Sequence, residues 1–375
     1  MEPFKNLISE EIVTLCAWHL GKQIPAFDAL AFTSSILPML SQLELKQRVK
    51  LISENMLAVL PEDVQRRNAI LVGMLHPDKN NHASASSSKE GLCGWGVWPL
   101  TDVIGQSGLD DFDDSMRALR EITMRGTSEF DVRPFIEADP DRALSIILDW
   151  THDENEHVRR LASEGSRPRL PWGMRLKALM TDPSRTRPIL DALRDDPSEY
   201  VRRSVANHLN DIAKDHPDFV VDIAENWMKG ATKDREKLIR HACRSLIKQG
   251  DERTLAVFGV LPPAIRDPEI FIVTDTVILG EKLGFEVTLS SRKTDPQKLL
   301  IDYVIHHRKA NGSLSAKVFK WRQMVLGPGE TTKLRREHAI RPITTRKYYA
   351  GQHFLSLRIN GRDFGKSDFD LQLNK

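Results

Sequence analysis

Acidic, basic and aromatic side chains are concentrated in one short stretch, HDENEHVRRLASEGSRPRLPWG, residues 152–173. Glu156, Arg160 and Glu164 are spaced four apart, so a helix places them on one face. A carboxylate held in this way can stabilise a developing positive charge, or orient and deprotonate a water molecule. A glycine and two prolines then end the helix, and Trp172 follows. The stretch therefore predicts a cluster of acid, guanidinium and indole groups near one helix end.

A repeat in the sequence indicates which elements position this cluster. Residues 139–165 align with 182–208 at a constant offset of 43, with nine identities in 27 positions. A period of this size is typical of helical-hairpin solenoids of the HEAT type. Weaker copies occur in REKLIRHACRSLIKQG and DSMRALREI. The two strong copies diverge after Ala162, because the second continues as a helix whereas the first turns into the glycine- and proline-containing segment.

The conserved spacing within the repeat has two interpretations. Each copy presents the same helix face, so its arginines can stack into a basic ladder on the concave surface. Alternatively, each arginine pairs with a carboxylate of the neighbouring repeat. Asp153 with Glu156, and Asp196 with Glu199, also have the spacing of a capping box, and Pro197 then occupies the first helical position.

Composition limits the classes of protein that fit. The chain has 375 residues, of which 40% are hydrophobic, and three cysteines without metal-ligand spacing. It contains no apolar run long enough for a membrane span and no leader-like N-terminus, which predicts a cytoplasmic protein without a membrane partner or structural metal. Residues 265–375 carry 20 Lys and Arg against 12 Asp and Glu, whereas the first 264 carry 34 against 40. The basic C-terminal part suggests a polyanionic partner.

The periodicity of apolar residues divides the chain into two domains. Residues 1–264 show helical spacing, interrupted at about 78–91 by the polar, small-residue stretch DKNNHASASSSKEG, which predicts a flexible loop. Residues 265–375 alternate apolar with polar residues between turn sequences such as ANGS and NGRD. Six or seven short strands here predict an immunoglobulin-like sandwich. The predicted fold is therefore mostly α, a HEAT-like repeat α-solenoid followed by a C-terminal immunoglobulin-like β-sandwich.

Four long segments carry a resemblance to a known family. They are GWGVWPLTDVIGQSGLDDFDDSMRALREIT, TSEFDVRPFIE, HDENEHVRRLASEGSRPRLPWG and YVRRSVANHLNDIAKDHPD. Together they resemble the AlkC family of alkylpurine DNA glycosylases, relatives of the AlkD enzymes, over about residues 1–260. Some members carry a similar immunoglobulin-like domain. The resemblance implies a monofunctional enzyme of DNA repair that excises cationic bases, N3-methyladenine and N3-methylcytosine, from duplex DNA without extruding the base.

The resemblance also implies catalytic carboxylates. A cationic base is already a good leaving group, so the sugar, which develops oxocarbenium character, is what an enzyme must stabilise. The positions carried over are Glu121 and Glu156, with Glu164 as a third candidate. Glu121 has an alternative role in an i,i+4 ion pair with a neighbouring arginine, and Glu156 in the capping box. Trp172 is expected to stack against an exposed sugar or base, or to lie in the core.

Phosphate contacts are expected from both domains, because they fix register without selecting sequence. The predicted phosphate-binding residues of the helical domain are Arg159, Arg160, Arg167, Arg169, Arg202 and Arg203. Asn207, His208 and Asp211 lie on the following helical turn and are predicted to support these DNA contacts. Lys309, Arg335 and Arg336 of the C-terminal domain are expected to help clamp the duplex. The expected partner is damaged double-stranded DNA, bound by a monomer without metal or other cofactor, in the bacterial nucleoid. The alternative is a non-enzymatic HEAT-repeat module that binds DNA or a protein partner.

Overall fold

A computed structural model describes residues 3–79, 86–344 and 346–373 of the chain. The loop predicted at 78–91 thus falls partly outside the described residues, because 80–85 are not among them. The chain forms two compact units. The first runs up to Val220 and includes Gly230–Ala242, and the second comprises Val221–Lys229 and the chain from Cys243 onward.

The helical part of the chain consists of short α-helices joined by tight turns. In the described residues they are α1 (Glu10–Gln23), α2 (Ala29–Leu40), α3 (Leu45–Leu57), α4 (Val64–Gly73), α5 (Trp98–Ser107), α6 (Phe112–Thr123), α7 (Arg133–Ala138), α8 (Pro140–Trp150), α9 (Glu156–Gly165), α10 (Lys177–Thr181), α11 (Arg187–Leu193), α12 (Glu199–Ile212), α13 (Pro217–Met228), α14 (Lys233–Ala242), α15 (Arg244–Gln249) and α16 (Glu252–Val257). None of the helices within these residues is both long and apolar enough to span a membrane.

Helices α8 and α9 form the first strong copy of the repeat, and α11 and α12 form the second. Each copy buries the apolar face of its second helix, including Val158 of α9 and Val201 of α12, both 0% exposed. Helix α12 packs against α9 on one side and α14 on the other. The regular stacking of these helices is the solenoid that the repeat predicts.

An inter-repeat ladder of ion pairs joins successive repeats. In each pair, an arginine of one helix contacts an aspartate at the start of the next repeat's second helix. The pairs are Arg120 with Asp153, Arg159 with Asp196 at 2.6 Å, and Arg202 with Asp234 at 3.1 Å. The second interpretation of the repeated arginines, pairing between repeats, therefore holds for Arg159 and Arg202.

The predicted capping boxes are wrong. Helix α9 is capped by Asn155, whose side chain accepts from the backbone N–H of His157 at 2.9 Å. Helix α12 begins at Glu199, so Pro197 precedes the cap and is not the first helical residue. The aspartate of each motif lies two residues before the cap. Asp196, for example, accepts from the backbone N–H of Ser198 and pairs with Arg159 of the ladder.

The C-terminal part of the second unit is a β-sandwich. Its strands are β1 (Glu269–Ile272), β2 (Thr276–Ile278), β3 (Lys282–Ser290), β4 (Gln297–Arg308), β5 (Leu314–Leu326), β6 (Thr331–Ala339), β7 (Gly351–Ile359) and β8 (Arg362–Gln372). One sheet has the order β1-β3-β6 and the other β2-β8-β7-β4-β5. Alternate side chains of both sheets, such as Phe285 and Ile305, fill the core between them. The two-layer sandwich confirms the predicted fold class, with eight described strands instead of six or seven.

Candidate active site

The helical unit contains a cleft of about 310 Å³ that is rich in aromatic side chains. Its walls come from the turn at Gly94–Val97 with the start of α5, from the loop at 126–130, and from the segment at 164–172. The aromatic residues in the walls are Trp95, Trp98, Phe130 and Trp172. Two carboxylates, Glu129 and Glu164, share the cleft with them.

The first two walls are held together by close backbone contact. The N–H of Gly94 donates to the carbonyl of Arg125 over 2.7 Å. A Cβ at Gly126 would lie only 2.4 Å from the Gly94 carbonyl oxygen, so only glycine allows this approach. The ring of Phe130 stacks on that of Trp98 with centroids 4.9 Å apart. These contacts therefore fix the first two walls of the cleft against each other.

The third wall is the segment in which the first repeat copy departs from the second. Arg133, which is fully buried in α7, donates to the carbonyls of Gly165 at 2.7 Å, Arg167 at 2.8 Å and Met174 at 2.9 Å. These bonds fix a chain that has left the helix and whose carbonyls have no helical partner. One buried arginine thus replaces the extra helical turn, of about 3.6 residues, that the second copy retains at the end of α12.

The two carboxylates of the cleft are joined through one guanidinium. Arg160 Nη1 donates to Glu129 Oε2 over 2.6 Å, and Arg160 Nη2 lies 3.5 Å from Glu164 Oε1. Glu129 Oε2 also accepts from the hydroxyl of Thr127 at 3.0 Å. Glu129 Oε1 accepts no hydrogen bond from the residues that the structure describes. Glu129, which lines the cleft, therefore has one fixed carboxylate oxygen and one that accepts no hydrogen bond from the described residues.

Glu164 is more strongly held and less exposed than Glu129. It accepts from Arg167 Nη1 and from the Ser204 hydroxyl, each over 2.6 Å. Burial raises its pKa, but the charges of Arg160 and Arg167 and the bond from Ser204 outweigh burial, so the pKa lies below its usual value. Glu164 is thus a permanently ionised carboxylate at neutral pH.

Trp172 lies at the mouth of the cleft in a strained backbone conformation. Its φ of 65° is in the left-handed region, which a bulky residue rarely adopts. The ammonium of Lys46 donates to its carbonyl, and the ring of Phe4 contacts the indole edge-on at 6.3 Å. The indole nevertheless stays 56% exposed. Backbone strain of this kind is concentrated at functional sites.

The described residues contain no group of three or more His, Cys, Asp or Glu side chains placed to hold a metal ion.

Known proteins match this chain over its whole length. The family model for DNA alkylation repair enzymes matches residues 127–246, and the model for the C-terminal Ig-like domain of YhaZ matches 267–373. The uncharacterized protein YhaZ of Bacillus subtilis (strain 168) is 36% identical, covering 99% of this chain and all of that protein. A solved structure of the Pseudomonas fluorescens alkylpurine DNA glycosylase AlkC, bound to DNA containing an abasic site analog, is 37% identical. It covers 99% of this chain and all of its own, with a TM-score of 0.79.

The chain belongs to the AlkC family. Both the predicted family and the predicted fold class are thereby confirmed.

The structure does not bring all the predicted carboxylates to the cleft of this AlkC-family protein. Glu164 lines it, but Glu121 and Glu156 do not. Glu121 is bonded to Arg125 at 2.7 Å, as its alternative interpretation expects, and lies 3.4 Å from Lys79. Glu156 is exposed at the start of α9 and accepts from the hydroxyl of Ser198. The cleft therefore adds Glu129 to Glu164 as a candidate carboxylate, and the catalytic role of Glu121 and Glu156 stays a prediction.

Three of the predicted residues of the DNA-binding set are buried in the cleft wall or behind it. Arg167, His208 and Asp211 are 7%, 0% and 3% exposed. Arg167 joins Asp211 to Glu164 with bonds of 2.8 and 2.6 Å. His208 Nδ1 lies 3.0 Å from the carbonyl of Ser163, and burial lowers the pKa of His208 to about 3. The burial of Arg167 argues against the phosphate contact predicted for it, and His208 and Asp211 support the cleft wall together with it.

The remaining residues of the predicted DNA-binding set differ in whether the protein already holds their side chains. Arg159 and Arg202 are held in the inter-repeat ladder, and Arg160 is held by the cleft carboxylates. Arg169 is paired with Asp215 at 2.8 Å. More accessible are Asn207, which is half-buried, and the exposed side chains of Arg203, Lys309, Arg335 and Arg336.

Sequence analysis missed four of the residues that form the cleft: Trp95, Trp98, Glu129 and Phe130. They lie outside the strong repeat, so no second copy marked them as unusual. Both segments that contain them, GWGVWPL and TSEF, were among those carrying the family resemblance. The available signal in the sequence was the pair Trp95 and Trp98, which are three residues apart and lie beside glycines.

Proposed function

We propose that the protein is a DNA glycosylase that hydrolyses the N-glycosidic bond of cationic N3-alkylated bases in duplex DNA. Membership of the AlkC family supports the class of enzyme. The cleft supports the choice of substrate, because carboxylates beside electron-rich aromatic faces favour a cationic ligand over a neutral one.

The reaction needs stabilisation of the sugar more than protonation of the base. As the bond from C1′ to the base breaks, its electron pair neutralises the cationic base, which leaves as a neutral molecule. The positive charge passes to the sugar, where the carboxylates stabilise it. Water then adds to C1′ and loses one proton, leaving an abasic site. No metal or cofactor is required for this sequence of steps.

Glu129 and Glu164 have different roles in this proposal. Glu164 is fixed by Arg167 and Ser204, so it supplies a permanent negative charge in the wall. Glu129 Oε1 is free to accept a hydrogen bond, so it orients the attacking water and takes its proton. Arg160 holds both carboxylates in place and keeps Glu129 Oε2 from rotating into the cleft.

The aromatic walls are proposed to receive the deoxyribose of the lesion while the base stays in the duplex. Trp172 at the mouth is exposed and pre-oriented, so it can contact a sugar from the minor or major groove side without a deep pocket closing around the base. Exposed cations, including Arg203 and the predicted Lys309, Arg335 and Arg336, then supply phosphate contacts that do not depend on sequence.

The observation that carries this proposal is that Glu129, whose Oε1 accepts no hydrogen bond from the described residues, lines a cleft rich in aromatic rings. The purified protein is incubated with methylated duplex DNA, and released bases are identified by mass spectrometry. We expect free N3-methyladenine and N3-methylcytosine together with abasic sites. Tight DNA binding without any released base would contradict the enzyme and favour the non-enzymatic HEAT-repeat module.

A further inference from the structure

Asp131 is a buried carboxyl directly behind the cleft wall that carries Glu129 and Phe130. It is 7% exposed and does not line the cleft. A Cβ at Gly105 of α5 would lie 3.1 Å from its Cβ, so the aspartate is packed tightly against that helix. Helix α5 also carries Trp98, which stacks on Phe130. Asp131 thus lies where two walls of the cleft meet.

The hydroxyl oxygen of Thr101 lies within hydrogen-bonding distance of two other oxygens. Two hydrogen bonds between these three oxygens need two protons. Thr101 Oγ1 lies 2.5 Å from Asp131 Oδ2 and 3.0 Å from the carbonyl oxygen of Trp98. A threonine hydroxyl has one proton to donate, and a backbone carbonyl has none. If Asp131 were ionised, one of the two contacts would lack a proton. If Asp131 is protonated, it donates to Thr101, and Thr101 donates to Trp98, so both contacts are hydrogen bonds.

The charged groups around Asp131 favour the same protonation state. Burial is the largest effect and raises the pKa of Asp131 to about 8, although a Thr101 hydroxyl that donated to the carboxylate would act in the opposite direction. Of the charged groups that face it, Asp102 on α5 and Glu129 on the loop raise the pKa, whereas Lys46 on α3 lowers it. The two carboxylates and burial outweigh the single ammonium.

We propose that Asp131 is a positioning residue that acts as a neutral carboxylic acid, whose proton joins the loop of Glu129 and Phe130 to the helix of Trp98 through Thr101. Ionisation of Asp131 removes that proton and places a second buried negative charge beside Glu129. The loop then separates from α5, and Glu129 loses its position relative to the aromatic wall. The protein would therefore lose activity on the alkaline side, through a residue that never contacts the substrate.

The first test detects the proton itself. Infrared difference spectra between Asp131→Asn and wild type are recorded over a pH series. At neutral pH we expect the carbonyl band of a protonated carboxyl in wild type, absent from Asp131→Asn. The matched control is Asp102→Asn. Asp102 also lies on α5, and its carboxylate accepts from the Ser53 hydroxyl at 2.5 Å, so this variant should retain the band. Absence of a protonated-carboxyl band from wild type at neutral pH would overturn the proposal.

The second test separates positioning from mere burial. The amide of Asp131→Asn can donate to Thr101 at every pH, so this variant should keep its activity where wild type declines. We expect kcat of wild type to fall about tenfold per pH unit above pH of about 8, with an unchanged KM, and kcat of Asp131→Asn to stay level. Asp131→Leu, which cannot donate, should lose activity at all pH values. An alkaline decline that persists in Asp131→Asn would contradict the positioning role.

The activity readout rests on the proposed glycosylase function, so a third measurement is independent of it. The folded-state pKa of Asp131 is raised above the unfolded value of 3.8, so wild type loses stability as pH rises from about 4 to about 8. Asp131→Asn lacks this loss, so the melting temperature of the variant relative to that of wild type should increase as pH rises over that range. Parallel melting curves for the two proteins would refute the proposal even if neither released a base. A protein inactive on methylated DNA, yet showing the band and the stability difference, would contradict only the proposed function.

Discussion

The guanidinium of Arg160 and the carboxylate of Glu129 form a hydrogen-bonded ion pair of 2.6 Å in the wall of the cleft. Both side chains are mostly buried, at 15% and 13% exposure. The pair fixes Oε2 of Glu129 and leaves Oε1 free, and the same guanidinium lies 3.5 Å from Glu164. One cation therefore organises both candidate catalytic carboxylates.

Replacing Arg160 should destabilise the fold as well as the site. Arg160→Met leaves Glu129 and Glu164 without their shared cation, which costs about 3 kcal/mol of unfolding free energy for a largely buried pair. The cost should shrink in acid, because the pKa of Glu164 lies below its usual value only while its arginine partners are present. Urea denaturation at neutral pH and at about pH 4 measures both effects. An equal loss at the two pH values would contradict the electrostatic explanation.

Trp172 is expected to contribute to DNA binding and little to stability. Trp172→Ala removes a side chain that is 56% exposed, so the melting temperature should change little. Loss of stacking should weaken binding to DNA with an abasic-site analogue by about 1–3 kcal/mol, or roughly fivefold to 150-fold. Trp18→Ala is the matched control, since Trp18 is also exposed, at 43%, but lies on α1 outside the cleft. Equal effects of the two substitutions would refute a specific role for Trp172.

Replacing Arg203 should weaken DNA binding without loss of stability, whereas replacing Arg159 should lower stability. Arg203 is 65% exposed, and its partner Glu199 is 77% exposed, so Arg203→Ala should leave stability unchanged. It should weaken DNA binding and reduce the slope of log affinity against log salt by about 1. Arg159→Ala should instead lower unfolding free energy by about 3 kcal/mol, because it leaves the 3% exposed carboxylate of Asp196 unpaired. A reduced salt slope for Arg159→Ala at full stability would show that the ladder arginines contact DNA.

The β-sandwich should be sensitive to acid because of His307. Neither ring nitrogen of this residue has a hydrogen-bond partner within the described chain, and burial, with the nearby charge of Arg346, lowers its pKa to about 3. The unfolded value is 6.5, so the unfolded chain binds the proton first, and stability falls as pH decreases from 6.5 towards 3. The slope is about 1.4 kcal/mol per pH unit for one histidine.

His307→Phe should reduce that acid sensitivity, as measured by melting curves of the full chain between about pH 7 and pH 5. The exposed His152 gives the control His152→Phe, which should melt like wild type across the series. If His307→Phe lost stability in acid as steeply as wild type, other groups would account for the effect.

The repeat and the strand alternation predict the fold because both are periodic signals along the chain. The cleft is harder to predict, because its walls come from segments that are distant in sequence. Glu164 was a candidate from its spacing to Arg160, whereas Glu129 lies in an irregular loop whose position depends on Gly126 and on Arg160 of another helix. Glu156 shares a helix face with Glu164, but one end of that face meets Ser198 instead of the cleft.

Buried arginines explain another part of the difference. In the sequence, Arg133 and Arg167 look like phosphate-binding arginines. In the structure both are buried, and they donate to carbonyls and carboxylates of the cleft wall. Sequence alone does not distinguish an arginine that contacts DNA from one that fixes a chain departing from its helix. The partner groups, which decide the role, are more than thirty residues away for Arg133 with Gly165 and Arg167 with Asp211.

The most direct measurement is single-turnover release of N3-methyladenine from duplex DNA by Glu129→Gln and by its matched control Glu121→Gln. Both substitutions remove one carboxylate charge from an acid that is bonded to an arginine, but only Glu129 lines the cleft. We expect Glu129→Gln to slow the release step by about a hundredfold or more at unchanged DNA affinity, and Glu121→Gln to stay within a few-fold of wild type. Wild-type rates for Glu129→Gln, with loss of activity in Glu121→Gln, would show that the reaction takes place outside this cleft.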